Sequence, residues 1–240
     1  MRHIFFFLIL ILFLSSVAYA GRELVTDSQN RHNLSMYSAY SIKAVNERQI
    51  CIFCHTPHNA MSNAPLWNHE ITAATYTHYW SATMNAYSSE ASAPPIDGYS
   101  RLCLSCHDGT VALGAVRARI TTYGEGTTGE GTTTIWMNTV SGIVDASGKL
   151  LAGAAGYLGT DLSGHHPVSF EFDDALAGAD GELFYPSTFT DTDVKLYPTG
   201  SGNGVQCTSC HDPHNDSTDD TFPFWRKTTF SDVCVVCHNM

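Results

Sequence analysis

The sequence contains four copies of one short motif, C-x-x-C-H, and these copies use all eight of its cysteines. Each copy offers two thiols that can add to the vinyl groups of one porphyrin, followed directly by an imidazole that can bind the iron. A chain of 240 residues with four covalent haems c would build much of its apolar interior from porphyrin. The motifs are Cys51-Ile-Phe-Cys54-His55, Cys103-Leu-Ser-Cys106-His107, Cys207-Thr-Ser-Cys210-His211 and Cys234-Val-Val-Cys237-His238.

Three other uses of paired cysteines fit this pattern less well. Zinc sites with four thiolate ligands are built from C-x-x-C pairs, a redox-active C-x-x-C occurs singly, and eight cysteines in an exported chain suggest four disulfides. None of these uses requires a histidine after the second cysteine, and every copy has one. The spacing therefore indicates haem attachment, with His55, His107, His211 and His238 as the proximal iron ligands.

The N-terminal segment is typical of a secretory signal peptide. Arg2 and His3 precede an apolar run from Ile4 to Leu14, and Ala18-Tyr19-Ala20 supplies a cleavage site before Gly21. The run is shorter than the ~20 residues of a membrane-spanning helix. We expect residues 1–20 to be removed and residues 21–240 to form an exported tetrahaem domain without a membrane span.

Histidine is abundant enough to give every iron a second axial ligand. The chain has twelve histidines, of which four are proximal and one lies in the signal segment. A methionine ligand would raise the potential of a haem, and the surplus of histidine favours bis-histidine ligation instead. The methionines that remain as alternatives are Met36, Met61, Met84, Met137 and Met240.

The first and third motifs continue in the same way, as C-H-x-P-H-N, which places His58 and His214 three residues after a proximal histidine. A histidine so close in sequence cannot reach the opposite face of the same iron, but it can reach the iron of an adjacent haem. Proline between the two histidines helps to end the helical turn of the motif. We therefore predict that His58 and His214 are distal ligands of neighbouring haems, which pack as close pairs.

The other two irons need distal ligands from more remote positions. The predicted ligands are His166, in the segment S-G-H-H-P-V, and His32, in R-H-N-L-S. His69, in P-L-W-N-H, is the reserve candidate. His78 and His165 are interpreted as histidines without a ligand role.

The segments RHNLS, CIFCHTPHNA with APLWNH, CLSCHDGT, GTDLSGHHPVSF and CTSCHDPHN resemble the OmcE/OmcS family of multihaem cytochromes from metal-respiring bacteria. The resemblance implies bis-histidine haems in stacked and T-shaped pairs, and it points to His166 rather than His165. It also implies extracellular filaments in which one axial histidine comes from the adjoining subunit. The implied partners are copies of the chain itself, redox partner cytochromes and extracellular electron acceptors.

The positions of two features near the chain ends are compatible with such assembly. His32 lies near the mature N-terminus, and the last motif lies two residues from the end of the sequence. Chain ends are usually at the surface, and head-to-tail contacts that do not close produce open filaments. One hypothesis is that His32 ligates an iron of another subunit, and the alternative is ligation within its own chain.

The long segment between the second and third motifs lacks the periodicity of long helices. The glycine-rich stretches Gly124–Ile135 and Gly153–Gly159 favour turns, loops and short strands, and the first of them predicts a hairpin or a mobile loop. Short helices are expected at the haem motifs and around Val111–Arg119. The predicted fold class is mostly irregular, with short helices and a few short strands, in a single domain wrapped around four haems.

Acidic residues dominate the second half of the chain, and the formal net charge is −11. Residues 120–225 hold fifteen Asp and Glu against only Lys149 and Lys195. An acidic surface aids solubility and disfavours a nucleic-acid partner. Negative charge and bis-histidine ligation both favour ferric iron and so predict low reduction potentials.

These features predict a protein that transfers electrons and has no catalysis of its own, because an iron with two protein ligands cannot bind a substrate. The favoured form is the subunit of an extracellular haem-chain filament. A soluble periplasmic carrier or a component of an outer-membrane conduit is the alternative. A multihaem reductase would require at least one iron with an open axial position.

Overall fold

The computed structural model describes residues 23–60, 66–119, 134–200, 202–216 and 224–239. Most of these residues form turns and irregular segments, as the sequence predicts. The signal segment, most of the first glycine-rich stretch, Met61 and Met240 lie outside the described residues. No helix in the described ranges is long and apolar enough to cross a membrane.

The helices are short, and most of them carry or adjoin a haem motif. The α-helices are α1 (Gly98–His107), α2 (Asp174–Asp180), α3 (Cys207–Cys210) and α4 (Phe230–Cys234). Single turns of 3-10 helix span Cys51–Phe53, Glu90–Ser92 and Pro186–Thr188.

The strands are two or three residues long and form two small antiparallel sheets. The strands are β1 (Glu23–Leu24), β2 (Phe170–Glu171), β3 (Tyr197–Pro198), β4 (Asn203–Val205) and β5 (Asn215–Asp216). One sheet has the order β2-β4-β3, with Phe170 opposite Val205 and Tyr197 opposite Gly204. The other pairs β1 with β5 and so fixes the N-terminal segment beside the end of the third motif.

Helix α1 is the longest helix, and it carries the whole second motif. Cys103, Cys106 and His107 stand at i, i+3 and i+4, so their side chains share one face of the helix. The helix ends at His107 with Asp108 as its C-cap, and Gly109 follows with a φ of +72°. A Cβ at Gly109 would lie 2.6 Å from the carbonyl oxygen of Leu150. Glycine is therefore required here for its left-handed backbone and for the close approach of the neighbouring chain.

The predicted helix around Val111–Arg119 is wrong. This segment runs through turns and isolated bridges instead. The amide of Arg117 donates to the carbonyl of Asn68 (2.7 Å), and the carbonyl of Ala115 accepts from Glu70 (2.9 Å). Its backbone groups thus pair with a distant segment, and these tertiary bonds replace the local bonds of a helix.

The second and third motifs are joined through the N-termini of their helices. Gln206 is fully buried, and its side-chain oxygen accepts from the amide of Ser100 (2.8 Å). The Ser100 hydroxyl in turn accepts from the amide of Cys207 (3.0 Å), and the Gln206 amide group donates to Asp97 (2.9 Å). These side chains satisfy amides that the helices leave unpaired, and they hold α1 against α3.

Most buried apolar residues of the described ranges fall into three small clusters rather than one large core. The first includes Ile52, Phe53, Val116 and Leu150, beside the first two motifs. The second lies around Phe170 and Phe172 and includes Cys237 at its edge, and the third surrounds Leu104. Each cluster therefore adjoins at least one haem motif.

Candidate haem sites

Each motif begins in a tight helical turn that brings its first cysteine and its histidine together. The amide of His55 donates to the carbonyl of Cys51 (2.7 Å), that of His211 to Cys207 (3.0 Å) and that of His238 to Cys234 (2.9 Å). The second motif adopts the same conformation inside α1. No disulfide joins any of the eight cysteines.

Three of the four proximal histidines face a second histidine ring from a distant part of the chain. The ring centroids are 6.0 Å apart for His32 and His107, 6.2 Å apart for His55 and His214, and 6.2 Å apart for His166 and His238. The ring planes are inclined by 70°, 14° and 82° respectively. The structure thus brings together three proximal histidines and three predicted distal histidines.

These separations fit the geometry of a bis-histidine haem. A metal–imidazole bond is about 2 Å long and the ring centre lies roughly 1 Å further out, so two imidazoles on opposite faces of one iron have centroids roughly 6 Å apart. Direct stacking of two rings would bring the centroids closer, as in the 4.2 Å contact between His32 and Phe224. The residues present therefore fit the cofactor that the motifs imply.

In three of these histidines, a hydrogen bond at Nδ1 holds the ring in place and leaves Nε2 available for iron. The Nδ1 atom of His32 lies 2.9 Å from the carbonyl of Pro213, that of His107 lies 2.6 Å from Gly156 and that of His166 lies 2.8 Å from Pro167. A carbonyl accepts a hydrogen bond from Nδ1–H, so Nδ1 carries the ring proton and Nε2 keeps its lone pair for the metal. Such outer hydrogen bonds fix the tautomer and orientation of metal-bound histidine.

His214 differs from these histidines because its outer partner is a carboxylate. Its Nδ1 atom lies 3.3 Å from Oδ1 of Asp212, and the backbone amide of His214 donates to the same oxygen (3.1 Å). The residue after β1 supports this turn, since the amide of Val25 donates to the carbonyl of His214 (2.8 Å). The third motif and the N-terminal segment together place His214 opposite His55.

The R-H-N-L-S segment is a buried polar turn that holds His32. Asn30, Asn33 and Ser35 are almost fully buried. Asn30 accepts from the amide of His32 (2.8 Å), Asn33 donates to the carbonyl of Asp27 (2.9 Å), and the Ser35 hydroxyl donates to Asn33 (2.7 Å). Burial, and then the neighbouring His107, lower the pKa of His32 to about 4, so the ring is neutral at pH 7, as a metal ligand must be.

The other predicted ligands are placed differently. His58 is exposed, and within the described residues no ring contact joins it to a proximal histidine. His211 stacks on Trp225, with centroids 4.4 Å apart. His69 is fully buried, and its Nε2 atom lies 3.4 Å from the carbonyl of Ser105 in the second motif. His165 is exposed, and burial lowers the pKa of the half-buried His78.

A longer repeat joins the first and third motifs, and it extends beyond C-H-x-P-H-N to a tryptophan. His55 forms an isolated bridge with Trp67, and His211 forms the same bridge with Trp225. The amide of Asn68 donates to the carbonyl of Cys54 (2.8 Å), as that of Arg226 donates to Cys210 (2.9 Å). The sequence carries a signal for this equivalence, because Pro-Leu-Trp ends at Trp67 and Pro-Phe-Trp ends at Trp225. The sequence analysis missed it.

The residue before each tryptophan has a left-handed backbone, with φ of 61° at Leu66 and 67° at Phe224. The Leu66 carbonyl accepts from the amide of Thr56 (2.8 Å) and also from the ring of His55. The Phe224 carbonyl accepts from the amide of Asp212 (2.8 Å). Non-glycine residues seldom adopt this conformation, and at Leu66 it directs a carbonyl to the proximal histidine.

The four motifs lie in one continuous series. The side chains of Cys103 and Cys207 are within hydrogen-bonding range, which raises the pKa of the Cys103 thiol and lowers that of Cys207. Cys54 is close enough to Cys106 to contribute, after burial, to its raised pKa. Burial and then Cys237 raise the pKa of Cys210 to about 12. The second and third motifs are thus in contact, and the first and fourth lie near enough to influence them electrostatically.

An apolar crevice of about 480 Å³ opens beside the first motif. Its walls include Ile50, Cys51, His55, Pro57 and Leu66. The volume falls within the roughly 300–1,000 Å³ that is usual for sites of cofactor-sized ligands. The crevice thus presents one of the two attaching thiols and the proximal imidazole of the first motif.

Comparison with known proteins supports the same class. Residues 200–240 match the family model described as "Doubled CXXCH motif". This range contains the third and fourth motifs, including His211 and His238. A search of the curated proteins found none with significant similarity to the chain. The motifs and this match indicate a multihaem c-type cytochrome that takes part in electron transfer.

Proposed function

We propose that this protein is an exported electron carrier that binds four haems c, with two histidines on each iron and no catalytic site. The observation that carries the proposal is the set of three histidine pairs with centroids 6.0–6.2 Å apart. In this assignment the first haem is held by His55 and His214. The remaining two pairs, His107 with His32 and His238 with His166, hold the second and fourth haems.

The third haem takes His211 as its proximal ligand, and His58 is its proposed distal ligand. The repeat supports this choice, because His214 of the third motif faces His55 of the first. The equivalent residue in the first motif is His58. Reciprocal exchange of the two histidines would join the first and third haems as a pair.

Bound haem supplies the one-electron chemistry, in which iron alternates between the ferric and ferrous states. The chain contributes geometry to this chemistry. Two histidines per iron would leave no position for water or substrate, and the carbonyls of Pro213, Gly156 and Pro167 would keep the rings oriented in both oxidation states. The continuous series of motifs provides a path along which successive haems are neighbours.

The competing function is a multihaem reductase, which needs an iron that can bind its substrate. Addition of carbon monoxide to the reduced protein distinguishes the two functions. We expect the absorbance spectrum of the assembled protein to stay unchanged, since no axial position is open. Rapid formation of a carbon monoxide complex by the wild type would favour the reductase.

We further propose that the protein acts outside the cell as the subunit of a filament. His32 faces His107 of its own chain, so the geometry favours the intrachain alternative for this residue. The exposed His58 is then the better candidate for donation. In the filament it would bind the third haem of an adjoining copy instead of the third haem of its own chain. A filament would carry electrons through successive copies to external acceptors, whereas a monomer would act as a periplasmic or conduit carrier.

Electron microscopy of the haem-loaded protein tests the filament. Wild type and the exposed-histidine control His165→Ala should form filaments, and His58→Ala should form short filaments or none. If His58→Ala forms filaments like those of the wild type, the ligand donated between copies is a residue other than His58. Single particles in all three samples would contradict the filament and leave the soluble carrier.

A further inference from the structure

The residue that follows the proximal histidine of the second motif is a buried aspartate. Asp108 is 2 % exposed, and it is the C-cap of α1, directly after His107. Its backbone amide donates to the carbonyl of Leu104 (2.9 Å), so the last turn of the helix fixes its position relative to His107. A carboxyl group is thus buried beside a predicted iron ligand.

Three hydrogen-bond donors surround this carboxyl group. The hydroxyl of Tyr76 donates to Oδ2 (2.7 Å), and the amide and the hydroxyl of Thr110 donate to Oδ1 (2.7 and 2.8 Å). A carboxylate only accepts hydrogen bonds, whereas a protonated carboxyl group has an O–H that must donate one. Hydrogen bonds from several donors favour the charged form. The surroundings therefore hold Asp108 as an anion.

No cation in the described part of the chain forms an ion pair with Asp108. Arg101, on the same helix, donates to backbone carbonyls instead. A buried charge is screened much less by salt and water than an exposed one. The charge of Asp108 reaches the attachment site, since burial, then Cys54 and then Asp108 raise the pKa of the Cys106 thiol.

The residue at the same position differs in the other three motifs. The first and fourth proximal histidines are followed by the uncharged Thr56 and Asn239. Asp212 follows His211, but its side chain is 20 % exposed, and Oδ2 lies 3.9 Å from Nη1 of Arg226. Its charge is thus partly screened by water and offset by a cation. The second motif alone places a buried anion without an ion pair directly after its proximal histidine.

Resting on the proposed binding of haem, we propose that Asp108 gives the second haem the lowest reduction potential of the four. A nearby anion stabilises ferric iron more than ferrous iron, because ferric iron carries one more positive charge. His107 also ends α1, the longest described helix, and the negative end of the helix dipole acts in the same direction. The second haem is therefore the last of the four to be reduced as the applied potential is lowered.

Potentiometric titration of the haem-loaded protein tests this proposal with Asp108→Asn and Tyr76→Phe. Asp108→Asn removes the charge and keeps the shape, and the new amide group can donate to the Tyr76 hydroxyl, which also accepts hydrogen bonds. Tyr76→Phe keeps the charge but removes one donor, so the charge is less dispersed. Asp161→Asn is the matched control, because it removes one carboxylate charge from an exposed position.

We expect Asp108→Asn to raise the lowest of the four potentials while the low-spin absorbance spectrum stays unchanged. At a fixed applied potential, the ratio of ferrous to ferric iron at that haem should rise on the order of tenfold. Tyr76→Phe should lower the same potential, and Asp161→Asn should leave all four potentials unchanged.

A lowest potential that does not change in Asp108→Asn would overturn the role of Asp108. If Asp108→Asn binds fewer than four haems, Tyr76→Phe decides, and a lowest potential that does not fall in that variant would also overturn it. A wild-type haem count below four, or carbon monoxide binding by the reduced wild type, would instead contradict the proposed function, so the two failures are distinguishable.

Discussion

His55 and His214 lie with their ring centroids 6.2 Å apart and their planes within 14° of parallel, although they belong to the first and third motifs. This separation leaves room for one iron between the two rings. In the proposed assignment, a ligand of one haem is supplied by the peptide that attaches another. That assignment would couple folding and haem attachment between distant parts of the chain.

Replacement of His214 should open one axial position. In His214→Ala we expect one of the four haems to become high-spin in the ferric state and to bind carbon monoxide after reduction. Absorbance and carbon monoxide titration measure both changes. His165→Ala, which removes an exposed histidine without a proposed ligand role, should keep the wild-type spectrum. Four low-spin haems in His214→Ala would contradict the assignment.

The polar turn that holds His32 should contribute measurably to stability. In Asn33→Ala, the carbonyl of Asp27 and the hydroxyl of Ser35 lose their partner, and we expect a loss of about 1–3 kcal/mol in the free energy of unfolding. Denaturant titration of the haem-loaded protein measures it. The exposed Asn46 provides the control, since Asn46→Ala should change stability by no more than about 0.5 kcal/mol. Equal losses of unfolding free energy in Asn33→Ala and Asn46→Ala would contradict a stabilising role for the hydrogen bonds of Asn33.

Alanine substitutions at Gly109 and Gly142 distinguish the energetic cost of a left-handed backbone from the cost of a steric clash. Both have a φ of +72°, but a Cβ at Gly142 meets nothing within 4 Å, whereas one at Gly109 meets the carbonyl of Leu150. We expect Gly142→Ala to cost about 1–2 kcal/mol for the left-handed backbone. Gly109→Ala should cost roughly 1–3 kcal/mol more, because the neighbouring chain must move. Equal losses in unfolding free energy would contradict the close approach at Leu150.

The haem-attachment motifs could be read directly from the sequence, because cysteine and histidine at fixed spacing define their chemistry locally. The mostly irregular fold followed from the lack of long periodic segments and is confirmed. The pairing of His32 with His107 could not be derived in this way. It depends on a buried turn at residues 30–35 and on strand β1, whose partner is almost two hundred residues away.

Two features show where local patterns failed. The segment Val111–Arg119 suggested a helix, but its backbone bonds go to Asn68 and to other remote residues. The equivalence of Trp67 and Trp225 was hidden because the spacers between histidine and tryptophan differ in length. In both cases the decisive contacts join residues far apart in sequence, and a local pattern carries no information about them.

Electron paramagnetic resonance of the oxidised, haem-loaded protein tests the ligand assignment most directly. Parallel axial imidazole planes give a rhombic low-spin ferric signal, whereas near-perpendicular planes give a signal with one very large g value, because the iron d orbitals are then nearly degenerate. The angles between the paired ring planes are 14°, 70° and 82° for the first, second and fourth haems. They predict one rhombic signal and two signals of the large-g type. We expect these low-spin signals and no high-spin signal. A high-spin signal that integrates to a whole haem or more would contradict a chain of ligand-saturated irons.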